Sequence, residues 1–381
     1  MASEKVAIVG AGIFGLAHAW SAAQRGHTVT VFERTNVASG ASIRNFGMVW
    51  PIGQPDHSRH LAIASRQRWL ELAAESGIWV NPYGSLHLAH HGDEWEVLQE
   101  FYHQAACTEF GSHLNLLDRE TALDRCSAIN PEGFIGALSS DLELCVNPTQ
   151  AIRTIPKYLA ERWNVDFQFD STVIDCHTCH VRTSGGKVTP FDRVIVCSGH
   201  DLETLYPEVL QNVPMKKCKL QMMRTVAQPN SWKLGNHIAS GLTLRHYTSF
   251  RSCQSLQRVI DRVSHESPEL DDFGIHVMAS QDDHGRVVLG DSHEYGASIE
   301  PFDNERINAL ILKELHKIIK LPEWKMDSHW HGIYAKSPDS IAVITSPEPG
   351  VHICTGLGGA GMTMALGIAE NNWQIWNGEL Q

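Results

Sequence analysis

No stretch of this chain approaches the roughly 20 apolar residues that a membrane-spanning helix needs. A membrane span is therefore not expected. The opening residues, Met1 to Lys5, run straight into a strand pattern without an apolar signal region, so the expected location is cytoplasmic. Positive charge is also scarce. Lys and Arg number 31 against 43 Asp and Glu, a net charge of −12, which argues against nucleic acid as a partner. The cysteines are nine, an odd number, and scattered, which fits reduced thiols better than a disulfide framework. One cluster, Cys176, Cys179 and His180, has the spacing of a haem-attachment site or of half a zinc site. With no export signal and no second ligand pair, it reads instead as a strand pair joined by a turn, and no metal is expected. Repeats and low-complexity segments are missing too, and only Thr345 to Gly350 resembles a linker, read as a surface turn.

What is present begins at the N-terminus. Val6 to Val9 is a short apolar run, as expected of a parallel strand buried on both faces, and Gly10-Ala11-Gly12-Ile13-Phe14-Gly15 follows it into a helical pattern. Gly10 permits the tight turn, Gly12 leaves the backbone bare for a pyrophosphate on the helix N-terminus, and Gly15 lets helix and strand pack closely. Gly26 is placed to stop that helix. A second apolar run ends at Glu33, 18 residues beyond Gly15, where a carboxylate can accept from a ribose hydroxyl. These features in register specify a dinucleotide site; Ile13, Phe14 and Arg34 belong to it by position.

At 381 residues the chain suggests two domains, and 43% hydrophobic with 19% charged residues is ordinary for a globular enzyme. Strand–turn–helix signals recur after Asn147 and again at the end. Phe191 to Cys197 leads into Ser198-Gly199, and Val351 to Thr355 leads into Gly356 to Gly361 and a closing helix. The expected fold class is α/β: a Rossmann-like domain from residues 1–47, 148–210 and 329–381. A mixed-sheet α+β substrate domain is expected from insertions at 48–147 and 211–328.

The first glycine loop, the segment Ala38 to Gly47, the Ile195 to Gly199 turn and the terminal loop Gly356 to Ala365 together resemble the D-amino-acid oxidase, glycine oxidase and sarcosine oxidase superfamily of flavoenzymes. Within it, Arg44 to Pro51, Lys219 to Arg224, Leu244 to Tyr247, Gly290 to His293 and Trp330 to Tyr334 resemble a branch associated with aminophosphonate breakdown. The resemblance implies FAD rather than NAD. Small and polar residues after Glu33 suit a ribityl chain and flavin edge, with Ser42, Arg44, Asn45 and Gly47 as contacts. Gly358, Gly359, Gly361 and Met362 would supply NH donors near the pyrimidine ring. Glycine oxidase-like relatives place an arginine where this chain has Tyr334, and sarcosine oxidase-like relatives a flavin-bonded cysteine where it has Gly332. FAD is therefore expected to be noncovalent, and the substrate's acid group to be anchored elsewhere.

Cationic residues of the insertions are candidates for that anchor. Arg245, His246 and Tyr247 fall in one run read as a strand, with Arg245 and Tyr247 on one face and His246 on the other. Lys219, His293, Tyr334 and Lys336 are further candidates, and Gln221, Met222, Met48 and Trp50 would line the flavin face. The implied reaction oxidises a small primary or N-methyl amine bearing an acidic group to an imine, which water hydrolyses to an aldehyde or keto product. The leading substrate is 2-aminoethylphosphonate or its N-methyl derivative, with glycine, sarcosine or a D-amino acid as the alternative. No general base is identifiable. A noncatalytic flavin-binding subunit, a flavin hydroxylase and an NAD(P) dehydrogenase remain as readings of other classes. The electron acceptor (oxygen or another), a homo-oligomer and any partner protein are left open.

Overall fold

A computed structural model describes residues 2–379. Its first sheet has six strands in the order Val343–Glu348, Val351–Thr355, Arg193–Val196, Lys5–Val9, Thr28–Phe32, Asp166–Gln168. All neighbours are parallel except the edge strand Val343–Glu348, which returns antiparallel to Val351–Thr355. The segment read as a linker is thus mostly strand, with its turn at Pro349 and Gly350. Lys5–Val9 sits centrally, with Val6 opposite both Arg193 and Val29, and the fully buried Val6, Ala7 and Ile8 explain its uninterrupted apolar sequence.

Helices Ile13–Gln24, Asp56–Ser76, Pro148–Trp163 and Gly361–Trp376 share one core on this sheet, with Trp20, Trp69, Ile155 and Trp373 buried together. Asp56–Ser76 lies within the 48–147 stretch allotted by sequence to the substrate unit, yet its buried Ala62, Trp69 and Leu72 join the core of the dinucleotide unit. Gly367 makes this possible: a Cβ there would stand 2.0 Å from the Leu61 carbonyl oxygen. The opposite face is covered by a small antiparallel sheet, Val173–His177, His180–Thr183 and Val188–Pro190, through Val173, Cys176 and Val181. Cys176 is buried there and Cys179, at φ +77°, turns the hairpin.

The second large sheet has nine strands built around Lys216–Ala227, which pairs antiparallel with Met326–Lys336 from Lys216↔Lys336 to Thr225↔Met326. Its other edge receives Arg286–Gly290 and Glu294–Gly296. Helices Gly92–Ala105, Leu256–Glu266 and Glu305–Ile318 contribute to a separate core with Leu86, Phe101, Phe250 and Leu289. A three-stranded sheet, Met48–Val49, Leu144–Val146 and Val80–Asn81, joins the two units. Among the described residues no helix is long and apolar enough to cross a membrane.

Candidate functional site

Backbone geometry at the first loop fits a diphosphate. Gly10 has φ +104°, and a Cβ there would lie 2.4 Å from the Cys197 carbonyl oxygen; one at Gly15 would lie 1.9 Å from the Gly10 oxygen. Gly12, by contrast, faces only Ser42 Oγ, at 3.1 Å. The helix it opens has no N-cap side chain, since Gly12 stands there, and no acidic residue in its first turn, so first-turn NH groups other than that of Ile13 remain available for an anion. Ile13 and Phe14 put their side chains in the core and offer backbone alone. Ser42 Oγ accepts from the Ile13 NH at 3.0 Å, fastening the second loop over the first.

Glu33 is buried at the end of its strand, where Oε2 accepts from the Ala11 NH at 3.0 Å and Oε1 from the Thr35 NH at 3.1 Å. Arg34 is half-exposed and paired with Asp201 at 2.7 Å. Asn45 is committed to its own loop: Nδ2 donates to the Ala41 and Ser42 oxygens, and Oδ1 accepts from the Gly47 NH. Gly47 has φ +76° with the Val146 oxygen 2.1 Å from a Cβ position, and Arg44 Nη1 donates to the His331 oxygen at 3.2 Å. Ser198 Oγ bonds the Asp201 oxygen, while the Gly199 oxygen accepts from Thr355 Oγ1 at 2.6 Å, which joins this turn to the terminal loop.

That terminal loop reaches the same place. Gly361 starts the closing helix, and a Cβ on it would lie 3.7 Å from Ile13. Gly358 packs on the stem of Lys336, and Gly359 faces the Tyr334 hydroxyl. Met362 is turned into the core, its carbonyl taking the Trp69 indole NH at 2.8 Å, so its side chain does not face the loop. The helix again lacks a capping side chain. Two helix starts without N-cap side chains and the buried Glu33 carboxylate at a strand end are donors and acceptors suited to FAD.

Beyond Tyr334 lies a wall of aromatic and titratable groups. Tyr334 neighbours His293 (centroids 6.5 Å apart), His293 stacks on His276 (5.0 Å), and His276 meets Tyr247 (6.1 Å), which stacks on Trp50 (6.5 Å). Tyr247 also fills the space over Gly53, and its hydroxyl sits 3.3 Å from Met278 Sδ. Met48 is buried in the adjoining core. Arg245 is paired with Asp271, its side chain only 7% exposed, and its Nε and Nη2 have no partner. Burial pushes the Tyr334 and Tyr247 hydroxyls well up, so both are neutral donors.

Three expectations need correction. Arg245, His246 and Tyr247 do not form a strand. Gly241–Arg245 and Thr248–Ser252 are 3-10 turns, closed by Thr243 Oγ1 on the Ser240 oxygen at 2.6 Å, so strand alternation does not divide these side chains. Gln221 faces away from the flavin side. Its amide bonds Asn304 and Asn308 at the start of helix Glu305–Ile318, whereas Leu220 and Met222, pointing oppositely, meet Phe46, Tyr334 and Trp330. Lys219 shares Gln221's face, with Nζ 3.1 Å from the Glu300 oxygen and 3.3 Å from Asp303. Gln221→Ala is accordingly expected to lower stability by about 1–3 kcal/mol, from buried partners left unsatisfied. Thermal unfolding would register this, while KM for the amine stays within twofold. The residue that the sequence did not single out is His276. Flanked by the buried Ile275 and Val277, it looks like a core position.

The fold and the paired glycine loops define an FAD-dependent oxidoreductase. Residues 5–371 match the model of the DAO family, described as FAD dependent oxidoreductase, and the chain belongs to that family. It is similar to one of the subunits of opine oxidase from Rhizobium meliloti, 27% identical over 365 residues, covering 91% of this chain and 86% of that one. Against the matching opine oxidase chain of Agrobacterium tumefaciens (strain Ach5), identity is 26% over 236 residues, and the match spans 57% of this chain and 62% of the other. In three dimensions it resembles glycine oxidase from Bacillus cereus ATCC 14579, with a TM-score of 0.77 at 18% identity, covering 100% of this chain and 96% of the other.

Proposed function

We propose that this enzyme oxidises a small primary or N-methyl amine carrying a phosphonate, with 2-aminoethylphosphonate or its N-methyl derivative as substrate. The observation that carries the reading is Arg245, its side chain nearly buried and two guanidinium nitrogens lacking any acceptor, next in the chain to His246, whose ring lies against His276 and His293 of the wall. An acid group supplies those missing acceptors. Tyr334, not a guanidinium, stands next to the terminal glycines, so the planar two-point grip suited to a carboxylate is not offered there. Lys336 adds positive charge, its ammonium 5.9 Å over the Tyr295 ring.

These cations do a second task. An amine must be uncharged before hydride can leave its carbon, and a positive neighbourhood lowers the pKa of a bound ammonium. Tyr247, Trp50 and Tyr334 exclude water and fix the C–H bond, which is where orientation contributes most. FAD, when bound, accepts the hydride equivalent and passes the electrons to oxygen or another acceptor. Its attachment is noncovalent in this reading, since Gly332 has no side chain to bond it and packs at a Cβ distance of 3.1 Å from the Arg44 oxygen.

Anaerobic mixing with a panel of amines tests the proposal through loss of flavin absorbance near ~450 nm. Fast bleaching by 2-aminoethylphosphonate or its N-methyl derivative, and slow bleaching by glycine, sarcosine and D-alanine, is the expected result. The reverse order would replace it with an amino-acid oxidase, and no bleaching by any amine would point to a noncatalytic flavin protein.

A further inference from the structure

His246, His276 and His293 come from three separate segments, yet one ring nitrogen of each lies within 4.8 Å of the others. The rings of His246 and His276 are 4.3 Å apart, and those of His246 and His293 5.6 Å. Imidazoles this close in a protein interior need a reason. Two are available: a cation that takes their lone pairs, or an anion that takes their protons.

The surroundings separate these possibilities. Arg245 and Lys336 lie near enough to act with burial in holding His246 and His276 far below the usual histidine range, and burial with Lys336 holds His293 at about 4. The one carboxyl in contact is Asp291, whose Oδ1 lies 3.2 Å from His276 Nε2 and is itself buried. Burial pushes Asp291 well up, toward the neutral acid. The tyrosines whose rings touch the cluster, Tyr247, Tyr295 and Tyr334, are also neutral, burial pushing their hydroxyls up. A divalent cation would thus enter a field set by Lys336 and by Arg245, the latter offset in part by Asp271, with no ionised carboxylate among the described residues in contact with the rings to meet it. The count of hydrogen-bonding groups points the same way. His276 Nδ1, Asp291 Oδ1 and the Arg245 Nε and Nη2 are buried without hydrogen-bond partners; the two guanidinium nitrogens are obligate donors, and a neutral Asp291 can donate as well.

We infer that His246, His276 and His293, together with Arg245, form the receptor for the dianionic head of the substrate, and that the imidazoles gain a proton as a tetrahedral phosphonate enters. The proton comes from solvent or from the phosphonate's own second ionisation and ends as an N–H on a ring nitrogen; no other bond is made or broken. A dianion with three oxygens can accept from several donors at different heights, which a histidine trio on three segments supplies and a planar carboxylate could not fully use. The trio thereby selects phosphonate over carboxylate. Ring contact between His293 and Tyr334, whose hydroxyl lies beside Gly359, connects this head to the terminal glycine loop through a single side chain. The inference rests on the proposed reading of the site as one for an acid-bearing amine, but it is tested without an amine.

Methylphosphonate, inorganic phosphate and acetate are titrated into the FAD-loaded enzyme by calorimetry, in buffers of different ionisation enthalpy at neutral pH. Methylphosphonate is expected to bind with a heat that varies with buffer, giving proton uptake by the protein once the proton that the ligand itself releases on becoming a dianion is added back, and at least about tenfold more tightly than acetate. His293→Asn and His246→Asn should each weaken it about tenfold or more, the worth of one hydrogen bond to a charged group. FAD content and thermal unfolding report whether each variant is folded, and His293→Gln, whose longer side chain carries its amide donor toward the Nε2 position that asparagine does not reach, should recover part of the loss. Binding without proton uptake, or undiminished in folded variants, would overturn the inference. So would one zinc per chain by elemental analysis with methylphosphonate binding lost to EDTA, which makes the trio a cation site. Rapid bleaching by aminophosphonates in histidine variants as in the parent would sink this receptor and leave the proposed function standing. Histidine-dependent methylphosphonate binding without bleaching by any aminophosphonate would do the opposite.

Discussion

Gly15→Val is expected to yield a nearly colourless protein. A Cβ at residue 15 meets the Gly10 carbonyl oxygen at 1.9 Å, its carbon at 3.0 Å and Ile8 at 3.3 Å, and two of these are backbone atoms. Neither can withdraw, since Gly10 is held at φ +104° against Cys197 and its NH bonds the Phe32 oxygen at 2.7 Å. The helix must move off the strand, taking the diphosphate donors with it. A cost of about 1–3 kcal/mol for overpacking converts to roughly 5- to 150-fold weaker FAD binding, with valine toward the upper end. Bound flavin per chain after gel filtration measures it. Gly26→Ala is the contrast: φ +81° makes alanine strained by about 1–2 kcal/mol, but nothing lies within 4 Å of its Cβ and FAD should stay bound. Equal flavin loss in both would mean that backbone strain, not the approach of helix to strand, governs the site.

This loop was readable from sequence because every part of its chemistry is local. Gly10, Gly12 and Gly15 act within one turn, and Glu33 follows after one helix and one strand. Lys5–Val9, Ile13–Gln24, Thr28–Phe32, Val351–Thr355 and Gly361–Trp376 were legible for the same reason, whereas the edge strand Val343–Glu348 was read in part as a surface turn. Elements whose placement depends on distant partners were not. Helix Asp56–Ser76 buries Trp69 and Leu72 but carries a mixed surface, so only its contact with Gly361–Trp376 shows which core it serves. Gln221 and Met222 alternate as a strand requires, yet which face meets the flavin side is decided by Phe46 and Trp330 from elsewhere. The run at Arg245 is bent by a Thr243–Ser240 bond that strand propensity does not register. His276 illustrates the limit most clearly: its partners are 30 residues before and 17 after it, and no spacing rule connects them.

With the proposed aminophosphonate substrate, Arg245→Ala is expected to cost roughly 10²-fold or more in kcat/KM. Its guanidinium is held by Asp271, which fixes the group while leaving Nε and Nη2 free of partners. Two charge-assisted hydrogen bonds, each worth about 1.5–3 kcal/mol, would be lost together, and the sum of about 3 kcal/mol or more exceeds the roughly 2.7 kcal/mol that a 10²-fold change requires. The loss should fall mainly on KM, because the acid group is held alike in ground and transition states. Part of it should reach kcat, since Arg245 also helps keep the bound amine neutral; raising the pH, which deprotonates the amine by other means, should restore that part. Arg245→Lys keeps the charge but not the fork, so it should recover the kcat component more than the KM component. Steady-state kinetics at two pH values for the three proteins checks this. If Arg245→Ala leaves KM and kcat unchanged, its pairing with Asp271 is structural alone and the acid group is held by other residues.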